Sequence, residues 1–153
     1  MMTKYRVILP KEEHSMFEFE QKNLPGFAVV NVALKNFEPK FVFAWHLSIL
    51  IKCENLIFNR LPSPDEQKIL YEIEDQLDNK IKTNGNALFL ARVTYNARRE
   101  LMWRVYDPEV VDKFLKKTIH DKNYLRQFDY RIDEDKSWSK AEWYLSKAAP
   151  IIH

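Results

Sequence analysis

Two apolar segments separated by only two residues restrict the possible folds of this chain more than any other feature. Residues 87–95 and 98–106 flank Asn96 and Ala97, which predicts a β-hairpin with a two-residue loop. The implied register pairs Thr94 with Arg99, Arg92 with Leu101, Leu90 with Trp103 and Leu88 with Val105. Both faces of the hairpin are largely apolar, unlike a sheet that has one face in water. We therefore expect the C-terminal segment, the N-terminal arm or a partner to cover the second face.

Three further segments have the character of strands. Residues 26–34 are rich in apolar, β-branched side chains, and apolar residues alternate from Phe43 to Cys53 within residues 42–53. Residues 124–132 also place apolar and aromatic side chains on one side. Alternation over such lengths predicts half-buried strands.

Three helix starts are marked by capping residues. Ser63-Pro64 combines an N-cap residue with proline at the first helical position, and Glu66 would complete a capping box. Asp107-Pro108 repeats this start for a second helix, and Asp135 is expected to cap a third helix over residues 137–146. Apolar residues at spacings of three and four follow each start, so each helix should bury one face.

The order of the elements predicts the fold class. From residue 42 onward the order is β-α-β-β-α-β, which is typical of a two-layer, ferredoxin-like α+β fold with an antiparallel sheet. The strand over residues 26–34 and the C-terminal helix, which Trp138 and Trp143 should anchor, are additions to that core. Because the first strand of the core is central in that fold, either the additional strand joins the sheet elsewhere or the strand order departs from the ferredoxin-like pattern.

Length and composition indicate one folded domain over residues 1–153. A chain of 153 residues with 46% hydrophobic and 30% charged residues has enough apolar side chains for a core. Residues 1–23 have the weakest pattern and are expected to form a loosely attached arm. No segment is long and apolar enough for a signal peptide or a membrane-spanning helix, so we expect a cytoplasmic protein without a membrane partner.

The composition also excludes several kinds of site. Only two glycines, Gly26 and Gly85, are present, so a glycine-rich phosphate-binding loop cannot be built. One cysteine excludes an intramolecular disulfide, and the four histidines lack the spacing of a zinc site. A net charge of +2 is too small for a general nucleic-acid-binding protein. We expect neither a metal nor a cofactor.

Several polar groups could carry chemistry, but each has a simpler structural interpretation. His46 and Ser48 lie on one strand face without an orienting carboxylate, which favours a partly exposed histidine over a catalytic pair. Cys53 ends the apolar face of its strand and is expected to be packed rather than reactive. Residues 133–135 should serve in helix capping and solvation. The acidic residues of the first helix are predicted to form a solvated face: Glu72, Glu74, Asp75 and Asp78.

Four short motifs make the chain resemble a known family. They are Leu61-Pro62-x-x-Asp65-Glu66 before the first helix, residues 91–100 around the hairpin loop, residues 126–132 in the last strand, and Asp135-x-x-Trp138. Their order and spacing over residues 27–145 resemble a bacterial family known as domain of unknown function 695. That family is similar in layout to the regulator B of ribonuclease E activity, a small acidic inhibitor. The resemblance supplies no catalytic residues, and the regulator is an analogy at the level of fold.

Two positions depart from the pattern of that family. The family hairpin usually carries Asn-Gly, whereas this chain has Asn96 and Ala97. Alanine is costly at positive φ, so we expect a different type of loop here. Arg60 stands where the family tends to have glycine before Leu-Pro. The chain is also slightly basic, which argues against a simple copy of the acidic inhibitor.

The hairpin carries the residues that we select as a candidate partner surface. Basic and aromatic side chains cluster there: Arg92, Arg98, Arg99, Trp103, Arg104 and Tyr106. Because no catalytic constellation is present and both sheet faces are apolar, we expect a non-enzymatic binding or regulatory module, of inhibitor or immunity type, with a protein partner. The partner could also be a second copy of this chain, which would give a homodimer. The alternatives are a single-stranded RNA binder that uses this hairpin and an enzyme that uses dispersed carboxylates and His46.

Overall fold

The predicted hairpin lies in the middle of a six-stranded antiparallel sheet in the computed structural model, which describes residues 7–148. The strands follow along the chain as β1 (His14–Gln21), β2 (Leu24–Asn31), β3 (Trp45–Lys52), β4 (Leu56–Ile57), β5 (Leu61–Pro62), β6 (Ala87–Tyr95), β7 (Arg98–Val105) and β8 (Phe128–Glu134). The α-helices are α1 (Pro64–Ile81), α2 (Pro108–His120) and α3 (Ser139–Lys147). The predicted α+β class with an antiparallel sheet is confirmed.

The additional N-terminal strand joins the sheet at the outer edge of the hairpin. Across the sheet the order is β1-β2-β6-β7-β3-β8, and every neighbouring pair is antiparallel. Strand β2 pairs with β6, so it does not compete with β7 and β8 for the two edges of β3. The short strands β4 and β5 form a separate two-stranded ribbon before α1.

The loop between β6 and β7 contains two residues at positive φ. Asn96 has a φ of 49° and Ala97 has a φ of 63°, as a type I′ turn requires. Our expectation of a different loop is therefore wrong. Two backbone hydrogen bonds hold Ala97, since its N–H donates to Arg60 O and its carbonyl accepts from Cys53 N, both at 2.8 Å. The pairing of two long strands outweighs a local cost of about 1–2 kcal/mol for the left-handed alanine.

A β-bulge at Leu90 divides the hairpin into two halves. Near the loop the pairs are as predicted, including Thr94 with Arg99. Beyond the bulge, Phe89 instead of Leu90 lies opposite Trp103, so the last two predicted pairs are wrong. Because of the extra residue, each side chain before the bulge points to the opposite side of the sheet from the one that the predicted register implies. Phe89 consequently belongs to the core beneath α1, and Leu90 to the core on the opposite face.

The N-terminal segment is more ordered than the sequence indicates. The expectation of a loosely attached arm over residues 1–23 is wrong for residues 14–21, which form the edge strand β1. Phe17 and Phe19 of this strand pack against the core, whereas the glutamates between and after them are exposed. Residues 1–6 lie outside the described part of the chain.

Helices α1 and α2 cover one face of the sheet and share one apolar core with β3, β6, β7 and β8. Ser63 caps α1 and accepts a hydrogen bond from Glu66 N at 3.2 Å, and Asp107 caps α2. Both helices therefore begin where the capping residues predict. The Glu66 carboxylate does not complete a capping box, because it accepts from Glu54 N and from Arg126 Nη1, each at 2.6 Å.

Helix α3 and the segment between β2 and β3 cover the second face. Ala141 and Leu145 of α3 pack there beside Trp138, which is 2% exposed. Two short 3₁₀ helices, Val32–Lys35 and Lys40–Phe43, complete this second core. The expectation that the C-terminal segment covers this face is confirmed. Within residues 7–148, no helix is both long enough and apolar enough to cross a membrane.

Candidate functional site

The six residues of the candidate partner surface lie on two opposite faces of the sheet. Three of them contact α1: Arg92, Arg99 and Trp103. The other three belong to the opposite face: Arg98, Arg104 and Tyr106. Trp103 and Arg104 are 0% exposed and Arg99 is 1% exposed, whereas Arg98 is exposed. The structure therefore does not bring the six side chains together as one surface.

Two acidic residues of α1 are partners of these side chains. Trp103 donates from Nε1 to Asp78 Oδ1 at 2.8 Å. Arg92 donates to both carboxylate oxygens of Glu74, at 2.6 and 2.8 Å. Glu74 is buried and Asp78 is half-buried, so the prediction of a solvated face is wrong at these two positions. The other two acidic residues that we assigned to that face are exposed.

Arg104 is a structural cation in the second core. Its Nη1 donates to Asp135 Oδ2 at 2.9 Å, its Nη2 to Asp135 O at 2.6 Å, and both Nε and Nη2 to Phe43 O. The Asp135 carboxylate also accepts from two backbone N–H groups at the start of α3, at 3.1 and 3.0 Å, although the N-cap position itself is Trp138 rather than Asp135 as predicted. Burial alone would raise the pKa of Asp135, but hydrogen bonds from the start of α3 and from Arg104 lower it to about 2.

His46 is buried beside Arg104 rather than partly exposed, which corrects our expectation. Its Nδ1 lies 3.3 Å from Arg104 Nη1. Burial, and then the charge of Arg104, lower the pKa of His46 to about 4, so the imidazole is neutral at neutral pH. Ser48 donates to Glu100 at 2.6 Å and is not part of a pair with His46. Cys53 is packed as predicted, and burial raises the pKa of its thiol.

Arg99 differs from Arg104 because most of its donors lack a partner. Its Nη2 donates to Gln67 Oε1. Its Nε and Nη1 have no hydrogen-bond partner, and no carboxylate lies within 4.0 Å of its guanidinium, among the residues that the structure describes. A buried donor without a partner costs about 1–3 kcal/mol, and a buried cation is normally paired with an anion. The Arg99 guanidinium therefore has the properties of an anion-binding group.

Arg99 lines a cavity of about 280 Å³ that we call the arginine pocket. The sheet strands β1, β2, β6 and β7 line it from one side, and the β4–β5 ribbon and α1 line it from the other. Most of the lining side chains are apolar or aromatic. The lining residues are Met16, Phe27, Val29, Ile57, Leu61, Pro62, Gln67, Tyr71, Arg92, Thr94 and Arg99.

Tyr71 lies against both guanidinium groups of the arginine pocket. The centroid of its ring is 5.0 Å from Arg92 Cζ and 5.3 Å from Arg99 Cζ. Glu74 forms its ion pair with Arg92, so the Arg99 guanidinium has no ion-pair partner among the described residues. Burial, and then the charge of Arg92, lower the pKa of the Arg99 guanidinium. A bound anion would relieve both effects.

The arginine pocket combines two guanidinium groups with an apolar wall, and its hydroxyl groups come from Tyr71 and Thr94. Its lining residues, as named above, include no histidine, cysteine, serine or carboxylate. Elsewhere within residues 7–148, no cluster of three or more histidine, cysteine, aspartate and glutamate side chains could hold a metal ion. The arrangement can hold an anionic group against an apolar wall.

A protein-family model, described as "Family of unknown function (DUF695)", matches residues 16–146. The chain belongs to the DUF695 family. The match includes the whole arginine pocket, from Met16 to Arg99. Searches of the curated proteins and of the solved structures found no match.

Sequence reasoning selected Arg99 but missed the residues of α1 that face it. Gln67 and Tyr71 are four residues apart, so they lie on the same side of α1. This side is distinct from the stripe of aliphatic residues that we predicted to be buried. An aromatic residue and an amide at this spacing, beside an arginine-rich hairpin, are a signal that could have identified the pocket in this DUF695 chain.

Replacing Arg99 with methionine is expected to stabilise the protein. Methionine fills a similar volume with apolar atoms and removes a buried charge and two donors without partners. We expect the free energy of unfolding to rise by about 1–3 kcal/mol, as measured by urea denaturation followed by circular dichroism. The control is Arg131→Met, which replaces a side chain that is 76% exposed. It should change the free energy of unfolding by less than about 0.5 kcal/mol. A loss of stability in Arg99→Met would show that the folded protein satisfies this guanidinium.

Proposed function

We propose that this protein is a non-enzymatic binding module whose arginine pocket receives a carboxylate of a partner protein. The observation that carries this proposal is the buried Arg99 guanidinium, whose Nε and Nη1 have no hydrogen-bond partner among the described residues. A carboxylate could accept from Nη1 or from Nε, which lie on different edges of the guanidinium, and charge-assisted bonds of this kind are stronger than bonds between neutral groups. An inhibitor or immunity protein is one form that such a module would take.

The surroundings of the pocket favour a protein over a small metabolite. Exposed apolar side chains border it: Met16 is 61% exposed, Ile57 is 53% exposed and Tyr71 is 43% exposed. Phe58, next to Ile57 in the chain, is 85% exposed. Contiguous exposed apolar residues mark interaction sites, and methionine, aromatic residues and arginine are enriched in protein interfaces. The expected ligand is thus an acidic side chain or a C-terminal carboxylate next to an apolar residue.

We also infer that the module is built on a ferredoxin-like core. The four strands β6-β7-β3-β8 are adjacent in the sheet, and α1 and α2 share one face. Both features support the β-α-β-β-α-β arrangement that the sequence predicts. The strands β1 and β2 lie outside this core and supply one wall of the arginine pocket. The proposed site therefore requires β1 and β2 in addition to the ferredoxin-like core.

A titration followed by ¹H–¹⁵N NMR tests the proposed function. The probe is N-acetyl-leucyl-glutamate with an amidated C-terminus, and the matched control is N-acetyl-leucyl-glutamine amide, which carries no carboxylate. We expect the glutamate peptide to shift the Arg99 Nε–H signal and the backbone signals of Tyr71 in a saturable way. Arg99→Met should weaken binding at least about tenfold, because each bond to a charged group contributes about 1.5–3 kcal/mol. Arg131→Met, on the opposite edge of the sheet, should leave binding unchanged.

Two results would contradict the proposal. Equal binding of the glutamine peptide would show that the pocket does not select a carboxylate. Tight, salt-sensitive binding of a uridine oligonucleotide at the same signals would favour the RNA-binding alternative. We do not expect the second result, because Trp103, the aromatic residue central to that alternative, is completely buried.

A further inference from the structure

A second cavity lies on the opposite face of the hairpin from the arginine pocket. Its volume is about 240 Å³, and it lies between β1, the loop end of β6 and β7, and α3. Four aromatic rings line it: Phe19, Tyr95, Trp143 and Tyr144. We call it the aromatic cavity. It is smaller than the roughly 300–1,000 Å³ of pockets for drug-sized ligands, so it fits a compact head group.

The rings of the aromatic cavity meet largely edge to face. Trp143 is perpendicular to Phe19, with ring centroids 6.0 Å apart and an interplanar angle of 86°, and to Tyr144, at 5.1 Å and 89°. Phe19 also lies 5.8 Å from Tyr95. Trp143 is 45% exposed although it touches three other rings. The face of an aromatic ring is negative, so a cation that enters a cavity lined by four rings can be favoured there.

Glu100 places a carboxylate at the wall of this cavity. It is half-buried and accepts a hydrogen bond from Ser48 Oγ at 2.6 Å. Within residues 7–148, no lysine, arginine or histidine nitrogen lies within 4.0 Å of its oxygens. Burial, and then the charge of Glu100, raise the pKa of Tyr144 to about 12. The negative charge is therefore felt at the aromatic wall, and no described cation forms an ion pair with it.

We propose that the aromatic cavity binds a quaternary ammonium group. Its methyl groups would contact the rings of Trp143 and Tyr144, and its charge would be balanced by Glu100. A quaternary ammonium group has no N–H donors, so it loses little hydration when it is enclosed by rings, and aromatic sites recognise it for this reason. Arg98 also lines the cavity, and its exposure to water weakens its competition with a bound cation without abolishing it.

Choline is the probe that tests this proposal, and 3,3-dimethylbutan-1-ol is its neutral isostere. We expect choline to shift the indole Nε1–H signal of Trp143 in a saturable NMR titration, whereas the isostere should not. The indole signals of Trp103 and Trp138 are internal controls, because both indoles are buried and donate to protein oxygens. They should stay unchanged at saturation.

Three variants assign the binding to the cavity. Glu100→Gln keeps the shape of the side chain and should weaken choline binding about tenfold. Trp143→Ala, measured at the backbone signals of Tyr144, should weaken it to a similar extent. Arg98→Gln removes a competing cation and should strengthen binding. Shifts that persist unchanged in Glu100→Gln, or equal binding of the neutral isostere, would overturn the proposal. Unchanged circular dichroism of the variants would show that they remain folded.

The source of the ammonium group is distinguished by a second titration. A peptide that contains trimethyl-lysine presents the same chemistry as choline on a protein chain. Tighter binding of this peptide would assign the cavity to a methylated protein, and tighter binding of choline would assign it to a free metabolite. This proposal does not rest on the arginine pocket, because it uses other residues, another probe and the opposite face of the hairpin.

Discussion

Replacing Arg104 with methionine is expected to lower the free energy of unfolding by about 3–5 kcal/mol, since the change leaves a buried carboxylate without its cation. Arg104 is 0% exposed, donates to Asp135 and Phe43, and lies 4.7 Å from the centroid of the Trp138 ring. Asp135 in turn holds the start of α3. The variant should therefore lose the docking of α3 as well as an ion pair, and urea denaturation followed by tryptophan fluorescence measures the change.

The control for this prediction is the exposed ion pair of Arg131 with Asp133. Arg131→Met should change the free energy of unfolding by less than about 0.5 kcal/mol. A loss below about 1 kcal/mol in Arg104→Met would contradict the role that we assign to the buried pair, because breaking such a pair normally costs several times more. The opposite signs expected for Arg99→Met and Arg104→Met separate an arginine that is available for a ligand from one that stabilises the fold.

The stability of the protein is expected to fall as the pH decreases from about 6.5 to about 4. The pKa of His46 is about 4 in the folded protein and about 6.5 in an unfolded chain. Between these values the unfolded chain binds a proton that the folded protein excludes, so acid favours unfolding. The full difference corresponds to about 3 kcal/mol. Urea denaturation at a series of pH values measures this slope.

His46→Gln tests the assignment because glutamine does not titrate and can still accept a bond from Arg104. The variant should lose most of the slope between pH 6.5 and pH 4, whereas His120→Gln, at an exposed position, should keep it. An unchanged slope in His46→Gln would contradict the assignment. Asp135 affects stability over a different pH range, because its pKa in the folded protein, about 2, is below its ordinary value of 3.8. Its contribution is present above pH 3.8 and is lost as the pH falls toward 2.

The helix starts and the hairpin could be predicted from the sequence because their signals are local. Ser63 and Asp107 cap helices at the predicted positions, since a side-chain oxygen beside proline acts on its own first turn. The two-residue loop at Asn96 is also set within a few residues. Tight turns and caps depend on neighbours along the chain, so one sequence suffices to locate them.

The burial of charged residues could not be predicted in the same way. Arg99 and Arg104 both lie on β7, and only the packing of α1 and α3 on the two sheet faces shows that each is enclosed. The bulge at Leu90 is set by long-range packing, because Phe89 fits beneath α1. Strand β1, by contrast, could have been found, because its phenylalanines alternate with glutamates.

Both cavities depend on the register in which β7 pairs with β6. Arg99 and Glu100 are successive residues of β7, so they project to opposite sides of the sheet. Insertion or deletion of a single residue between Asn96 and Arg99 would exchange these projections. The guanidinium would then stand among the aromatic rings and the carboxylate beneath α1, so a one-residue slip would abolish both charge preferences at once.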